Sequence, residues 1–174
     1  MSSSFALDPV TRITAGAVGE PGNRIFYIQA RSADQLVTLL AEKEQIRALA
    51  TSIIQMLAAL PDEGEAAPAP DDDLELEEPL LPEWRVGPMA LHYDEATDRM
   101  LIIASELIDD EGADDAPEPA TAQFTITRAQ SHALAEHAEE VVEAGRPRCR
   151  FCGFPMDADG HTCPAMNGHR EMGS

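Results

Sequence analysis

Residues 43–50 have the sequence Lys-Glu-Gln-Ile-Arg-Ala-Leu-Ala, and residues 128–135 have the sequence Arg-Ala-Gln-Ser-His-Ala-Leu-Ala. The two segments share Gln, Ala, Leu and Ala at equivalent positions, and each follows a strand-like run. Their apolar residues recur at helical spacing, so each segment is predicted to begin an amphipathic helix. Pro61 and Gly145 are expected to end these two helices, because neither residue type favours helix continuation.

Three strand-like runs, rich in β-branched and aromatic residues, precede each predicted helix. They cover 12–19, 24–30 and 36–41 in the first half, and 84–93, 99–104 and 124–126 in the second. Residues 24–28 resemble 99–103, and Arg12-Ile13 resembles Arg85-Val86, which indicates an internal duplication. Chance similarity between two strand-to-helix transitions is the alternative. The predicted fold is α+β, with duplicated β-β-β-α units that form antiparallel sheet with two helices near a pseudo-twofold axis.

The predicted organisation has four parts. They are a first β-β-β-α unit over 1–60, an acidic disordered linker over 61–82, a second β-β-β-α unit over 83–146 with an acidic loop at 106–120, and a zinc-knuckle tail over 147–174. The linker is predicted to be disordered because it is rich in Pro, Ala and acidic residues.

The negative charge of the chain is concentrated in two stretches. The formal net charge is −20 at pH 7, and neither 61–83 nor 106–118 contains Lys or Arg. Blocks of this kind stay solvated and repel a phosphate backbone, which argues against nucleic acid as the partner. They serve either solubility or docking to a basic partner protein.

The sequence predicts a cytoplasmic protein without a membrane-spanning segment. No window approaches the roughly 20 apolar residues that a transmembrane helix needs, and residues 1–6 lack the features of a secretory signal. The three cysteines lie close together in the tail. An odd, clustered set indicates a metal site in a reducing compartment and not a disulfide framework.

The tail contains a Cys-x-x-Cys-Gly motif that begins at Cys149. Its two thiolates can face one ion, and the glycine allows the turn that points backbone amides at the sulfurs. His161 and Cys163 are two residues apart, so they project to the same side of an extended segment. We predict a structural zinc site made by Cys149, Cys152, His161 and Cys163. His169 or a water molecule is the alternative to His161, and water would leave an open coordination position of the kind that catalytic zinc sites keep.

A few polar residues outside the tail are candidates for binding. Arg12 and Arg85 recur at equivalent positions, as do Arg24 and Arg99. These arginines form either paired anion contacts or braces at strand ends. His92 follows a strand and lies either in a pocket or on the surface. The sequence shows no phosphate-binding glycine loop and no nucleophile signature outside the metal motif.

Several motifs extend over nearly the whole chain apart from the acidic stretches. They are residues 24–30, Glu-Trp-Arg-Val-Gly at 83–87, Ala-Gly-Arg-Pro at 144–147 and the Cys-x-x-Cys-Gly…Gly-His-x-Cys-Pro tail with its later Asn-Gly. In these motifs the chain resembles an uncharacterised, mainly actinobacterial family of cytoplasmic proteins. The resemblance implies no activity. Its Gly-His-x-Cys pattern, matched by residues 160–163, implies that His161 is the histidine ligand.

The sequence therefore predicts a zinc-binding, non-enzymatic binding or adaptor protein whose partner is another protein. The alternative is an enzyme that uses either an open zinc or a pocket between the two units. Arg12, Arg85 and His92 would converge in such a pocket. A nucleic-acid-binding protein is the third possibility, and the acidic stretches disfavour it.

Overall fold

Two antiparallel three-stranded meanders, each followed by a helix, form the body of the protein. The structure is a computed structural model and describes residues 2–61, 73–109, 116–145, 149–154, 156, 160–166 and 170–171. The strands are β1 (Phe5–Leu7), β2 (Arg12–Val18), β3 (Ile25–Ser32), β4 (Gln35–Ala41), β5 (Val86–Asp94), β6 (Arg99–Glu106), β7 (Thr121–Ile126), β8 (His161–Thr162) and β9 (Arg170–Glu171). The helices are α1 (Lys43–Ala59) and α2 (Arg128–Glu143), and a single 3₁₀ turn spans Pro164–Met166.

The predicted α+β class with two helices is confirmed, but the strands form more than one sheet. Strands β2, β3 and β4 make a three-stranded sheet, and the order of the larger sheet is β1-β7-β6-β5. The sequence analysis missed β1, which pairs in parallel with β7. A three-residue strand is too short to show a period-2 pattern, so its sequence carries no strand signal. None of the helices in the described part of the chain has the length and apolar character that a membrane crossing requires.

Each half of the body supplies a parallel neighbour to the last strand of the other half. Strand β1 precedes the first meander and pairs with β7, with Leu7 opposite Phe124. Reciprocally, residues 83–85 precede the second meander and run parallel to β4, through a bridge between Leu40 and Arg85. The Leu40 N–H donates to the Trp84 carbonyl at 3.0 Å. The two sheets are thus joined at both ends by backbone hydrogen bonds, and neither half is complete alone.

The helices pack against each other and cover one shared hydrophobic core. Helix α1 buries Ile46, Leu49, Ala50 and Ile53. Helix α2 buries Ser131, Leu134, Ala135, Ala138 and Val142. This spacing places the buried residues along one helical face, as the sequence predicts. Helix α2 contacts β2 of the first half and α1 contacts β5 of the second, so the helices also join the two halves.

A glutamine in the first turn of each helix ties the helix start to the opposite half. Gln45 accepts a hydrogen bond from the Glu42 N–H at 2.8 Å, and its amide nitrogen donates to the Val86 carbonyl at 2.9 Å. Gln130 accepts from the Thr127 N–H at 2.9 Å and donates to the Val10 carbonyl at 2.8 Å. Each side chain therefore caps a helix and also satisfies a backbone carbonyl across the interface between the halves.

The acidic segment after α1, which is predicted as a disordered linker over 61–82, is only partly described. Residues 62–72 lie outside the described residues. Residues 73–77, which we call the acidic strap, cross the outer face of the β2-β3-β4 sheet and form hydrogen bonds with it. Composition predicts disorder because acidic residues favour water, but here backbone groups and a leucine side chain make the contacts.

The acidic loop over 106–120 is also partly described. Residues 110–115 lie outside the described residues. The strands on either side continue farther than predicted, because β6 includes Glu106 and β7 begins at Thr121. The Glu106 N–H donates to the Ala120 carbonyl at 2.8 Å, which holds the two ends of the loop together.

The turn between β5 and β6 is braced by a charged hydrogen-bond network. Asp98 adopts a positive φ of 52° and accepts hydrogen bonds from the Tyr93 hydroxyl at 2.5 Å and from Arg128 Nε at 2.7 Å. These two hydrogen bonds, the one from Tyr93 being the larger effect, hold the pKa of Asp98 below its usual value. The ionised form of Asp98 therefore contributes to the free energy of unfolding.

We expect the Asp98→Asn substitution to lower the free energy of unfolding at neutral pH, because an amide loses the charge-assisted hydrogen bonds. Asparagine keeps the positive φ accessible. The folded-state pKa is depressed, so the contribution of Asp98 is present above about pH 4 and is lost as pH falls through the folded pKa. The difference in urea midpoint between wild type and variant should therefore shrink at acidic pH. Asp34→Asn, at an exposed turn position, is the control. A constant difference between pH 7 and pH 3 would contradict the assignment.

We expect Gln45→Ala and Gln130→Ala each to lower the free energy of unfolding by about 1–2 kcal/mol, because each removes a helix cap and a hydrogen bond across the halves. Urea denaturation followed by circular dichroism measures the change. Gln55→Ala, on an exposed position of α1, is the matched control and should be neutral or slightly stabilising, because alanine has the higher helix propensity. Equal effects at all three positions would show that the cross-half hydrogen bonds contribute nothing.

Candidate metal centre

Four side chains with metal-binding atoms meet in the C-terminal region. The thiols of Cys149, Cys152 and Cys163 and a ring nitrogen of His161 all lie within 4.8 Å of one another. The Cys149 and Cys163 sulfurs are 3.7 Å apart, and the Cys152 sulfur is 3.7 Å from His161 Nε2. All three cysteines are free thiols, and these separations are far longer than the roughly 2.05 Å of a disulfide. The arrangement could hold one metal ion.

The first pair of ligands is presented by a tight knuckle turn. Gly153 has a φ of +75°, which a residue with a side chain rarely adopts. Its N–H donates to the Cys149 carbonyl at 2.8 Å, and the Cys149 N–H donates to the Phe154 carbonyl at 2.9 Å. The Phe151 N–H points at the Cys149 sulfur at 3.4 Å. This is the turn that the Cys-x-x-Cys-Gly motif predicts, with backbone amides directed at a thiolate.

The second pair of ligands comes from a short hairpin strand and the residue after it. Strand β8 pairs antiparallel with β9, with His161 opposite Glu171. Gly160 enters the strand with a φ of 85°. Cys163 follows directly after β8, so it lies two residues from His161 and the two side chains can reach the same point.

The tetrad sits in a small cluster separate from the main core. Cys149 and Cys163 are buried together with Met156, and Cys152 packs against them. The main core has no member in this cluster. Three buried side chains are a small apolar contribution for a separate module, so a bound ion would supply much of its stabilisation.

The electrostatics at Cys152 favour the thiolate. Partial burial opposes ionisation, but hydrogen bonds from the Phe154 backbone and from the Cys149 and Cys163 thiols together outweigh it. The pKa of Cys152 is therefore below its usual value. The thiolate is the form of cysteine that binds metals.

Among the described residues, the other sequence-predicted candidates lie away from this site. His169, the alternative ligand, lies outside the described residues. The side chains of the predicted catalytic pocket have separate partners: Arg12 contacts the acidic strap, and Arg85 pairs with Glu42 at 2.9 Å. His92 is exposed on β5, an edge strand of the larger sheet.

The recurring arginines act as braces. Arg24 lies at the end of α2, where its guanidinium donates to the Val141 carbonyl at 2.7 Å. A cation at this position also interacts favourably with the helix dipole. Arg99 donates to carbonyls of the preceding turn, at Thr97 and Asp98.

Sequence reasoning missed the polar contacts of the strap with the first sheet. The signal was Gly16 within a predicted strand, because an isolated glycine there often marks the close approach of another segment.

A family model described as a protein of unknown function (DUF3090) matches residues 5–163. The chain belongs to this family. The matched region of the DUF3090 chain includes all four members of the tetrad, whereas His169 lies beyond it. No curated protein and no solved structure matches the chain.

We expect His161→Ala to reduce the metal content of the purified full chain well below that of wild type, because it removes one of four converging ligands. Inductively coupled plasma mass spectrometry measures the content per chain. His169→Ala is the matched control and should keep the wild-type content. Loss of metal in His169→Ala with retention in His161→Ala would show that the ligand set is wrong.

Proposed function

We propose that this DUF3090 chain is a zinc-binding protein whose tetrad holds a structural Zn²⁺, and that it acts as a binding or adaptor module and not as an enzyme. The separation of the sulfurs carries the zinc proposal. With zinc–sulfur bonds of about 2.3 Å, two sulfurs of a regular tetrahedron are about 3.8 Å apart. Cys149 and Cys163 are separated by 3.7 Å.

The remaining ligand pair supports the same geometry. A zinc–nitrogen bond of about 2.0–2.1 Å places the nitrogen about 3.5 Å from a neighbouring sulfur. The Cys152 sulfur and His161 Nε2 are 3.7 Å apart. Three thiols and one imidazole form a ligand set typical of structural zinc, and soft thiolate ligands disfavour magnesium or calcium.

The number of protein ligands supports a structural role for the ion. A catalytic zinc keeps one position for water or substrate, whereas four protein ligands close the coordination sphere. Free thiols are maintained in reducing compartments, so we also propose a cytoplasmic location. The enzyme alternative loses support because Arg12, Arg85 and His92 have different surroundings. Nucleic-acid binding is the least favoured of the three functions, because the acidic stretches would repel a phosphate backbone.

The internal duplication forms part of this proposal. The order β-β-β-α occurs twice, in β2-β3-β4-α1 and in β5-β6-β7-α2. Gln45 and Gln130 occupy the same helix position and donate across to the opposite half. Duplication accounts for both features, because a duplicated unit carries its cap and its interface contacts with it.

We expect the purified full chain to contain about one zinc per molecule. A strong chelator should remove the zinc, and amide hydrogen exchange in 149–154 and 160–163 should then increase, because the small module has little apolar core of its own. Exchange in α1 and α2 should stay unchanged, since the main core does not include the tetrad. Exchange that is unchanged throughout the chain after zinc removal would contradict a structural role.

The adaptor role is tested separately, by crosslinking the tagged full chain in its cells of origin and identifying partners by quantitative mass spectrometry. We expect a defined set of partner proteins whose yield exceeds that of an unrelated acidic control protein. Turnover of a substrate by the purified zinc-loaded chain, together with the lack of any enriched partner, would refute the adaptor role.

A further inference from the structure

The outer face of the β2-β3-β4 sheet is polar although it is buried. Thr14 and Gln29 are both 0% exposed, and Thr38 is 3% exposed. Polar side chains that lose contact with water need hydrogen-bond partners. In the described residues, no buried side-chain nitrogen or oxygen lacks a partner. The acidic strap supplies some of the hydrogen-bond partners of Thr14 and Gln29.

Gln29 binds the backbone of the strap at two points. Its amide nitrogen donates to the Glu77 carbonyl at 3.0 Å, and its amide oxygen accepts from the Glu77 N–H at 2.7 Å. A second bond from the amide nitrogen, to Thr38 Oγ1 at 3.0 Å, fixes its orientation. The Thr14 hydroxyl donates to the Leu74 carbonyl. These contacts recognise the peptide backbone of the strap, which bends at Glu75, and they are independent of its side chains.

Two arginines add a preference for a carboxylate. Arg31 Nε lies 3.0 Å from Glu77 Oε2, and Arg12 Nη1 lies 3.8 Å from the same oxygen. Arg12 also donates to the Asp73 carbonyl at 2.8 Å and to the Glu75 carbonyl. The arginines therefore combine charge recognition with further backbone contacts.

Gly16 leaves space for the side chain of Leu76, the residue directly before Glu77. A Cβ atom built on Gly16 would lie 2.6 Å from Cγ of Leu76, so any larger residue would collide with the leucine. The face therefore accommodates a segment with an apolar residue directly before a Glu. We call this face, formed by Arg12, Thr14, Gly16, Gln29 and Arg31, the strap groove.

The strap is held in the groove without becoming part of the sheet. Residues 73–77 belong to no strand. They contact side chains of the groove, so an equivalent segment of another protein can make the same contacts. Recognition of acidic motifs by clustered arginines is a recurring mode of peptide binding.

We propose that the strap groove is the binding site for an acidic peptide segment of a partner protein, and that the strap occupies it in cis. This inference rests on the proposed adaptor function and names the chemistry of the partner: an apolar residue followed by a Glu or Asp. A tethered strap acts at an effective concentration of about millimolar. A partner peptide can bind only to molecules whose strap has left the groove. Its apparent dissociation constant is therefore its intrinsic value divided by the fraction of such molecules.

The test uses the full zinc-loaded chain and a fluorescent peptide with the sequence Asp-Leu-Glu-Leu-Glu-Glu of residues 73–78. Leu76→Asp combined with Glu77→Lys releases the strap, because it places charges against Gly16 and beside Arg31. Fluorescence anisotropy should show at least about tenfold tighter peptide binding to this variant than to wild type. Adding Arg31→Ala should weaken binding about tenfold or more. Adding Arg47→Ala, at an exposed arginine on α1, should leave it unchanged.

A second measurement needs no substitution and covers the case in which the released variant fails to fold. Millimolar peptide added to wild type should increase amide hydrogen exchange in residues 73–77, because peptide and strap compete for the same contacts. A peptide with Lys in place of the fifth residue should have no effect. Unchanged exchange at millimolar peptide would overturn the proposal.

Three further outcomes are decisive. A folded strap-released variant that does not bind the peptide, or that binds the Lys-substituted peptide equally, would overturn the proposal. Concentration-dependent dimerisation through exchanged straps, measured by light scattering, would show that a second copy of the chain is the partner and would overturn it as well. If crosslinking identifies protein partners while the peptide fails to bind, the adaptor function stands and only the groove assignment falls.

Discussion

The structure depends on reciprocal parallel pairing between the two halves. Each meander needs a neighbour for its last strand, and that neighbour comes from the segment that enters the other meander, at β1 in one case and at residues 83–85 in the other. Backbone groups at a sheet edge are unpaired and invite association with other chains. Here the pairing happens within one molecule. It fixes the position of each half and the direction of the chain that enters it.

This constraint also decides how the core and the helices are arranged. Because the halves are joined at both sheets, the helices can pack on each other, and α2 can lie against β2 of the opposite half. Gln45 and Gln130 then donate to carbonyls beyond their own half. Helix capping and the joining of the halves are thus served by the same side chains. Loss of either glutamine affects local and long-range structure together.

Local sequence patterns predicted most secondary structure because each pattern reports a local cause. The helical spacing of apolar residues predicted α1 and α2, and Cys-x-x-Cys-Gly predicted the knuckle. What the patterns did not predict depends on distant partners. Strand β1 is ordered by β7, and the strap is ordered by buried Gln29. Neither contact leaves a periodic signal, and the acidic composition of the strap indicated solvent exposure instead.

Different interactions stabilise the metal site and the strap groove. The tetrad region has a small cluster of Cys149, Met156 and Cys163, so a bound ion would contribute much of its stabilisation. The groove is ordered by the main core beneath it and by the strap above it. Burying Gln29 without a partner would cost about 1–3 kcal/mol, and a Val would avoid this cost on a strand. Gln29 avoids this cost because Thr38 and the backbone of Glu77 satisfy its amide, and a partner peptide in the proposed groove would have to replace the Glu77 contacts.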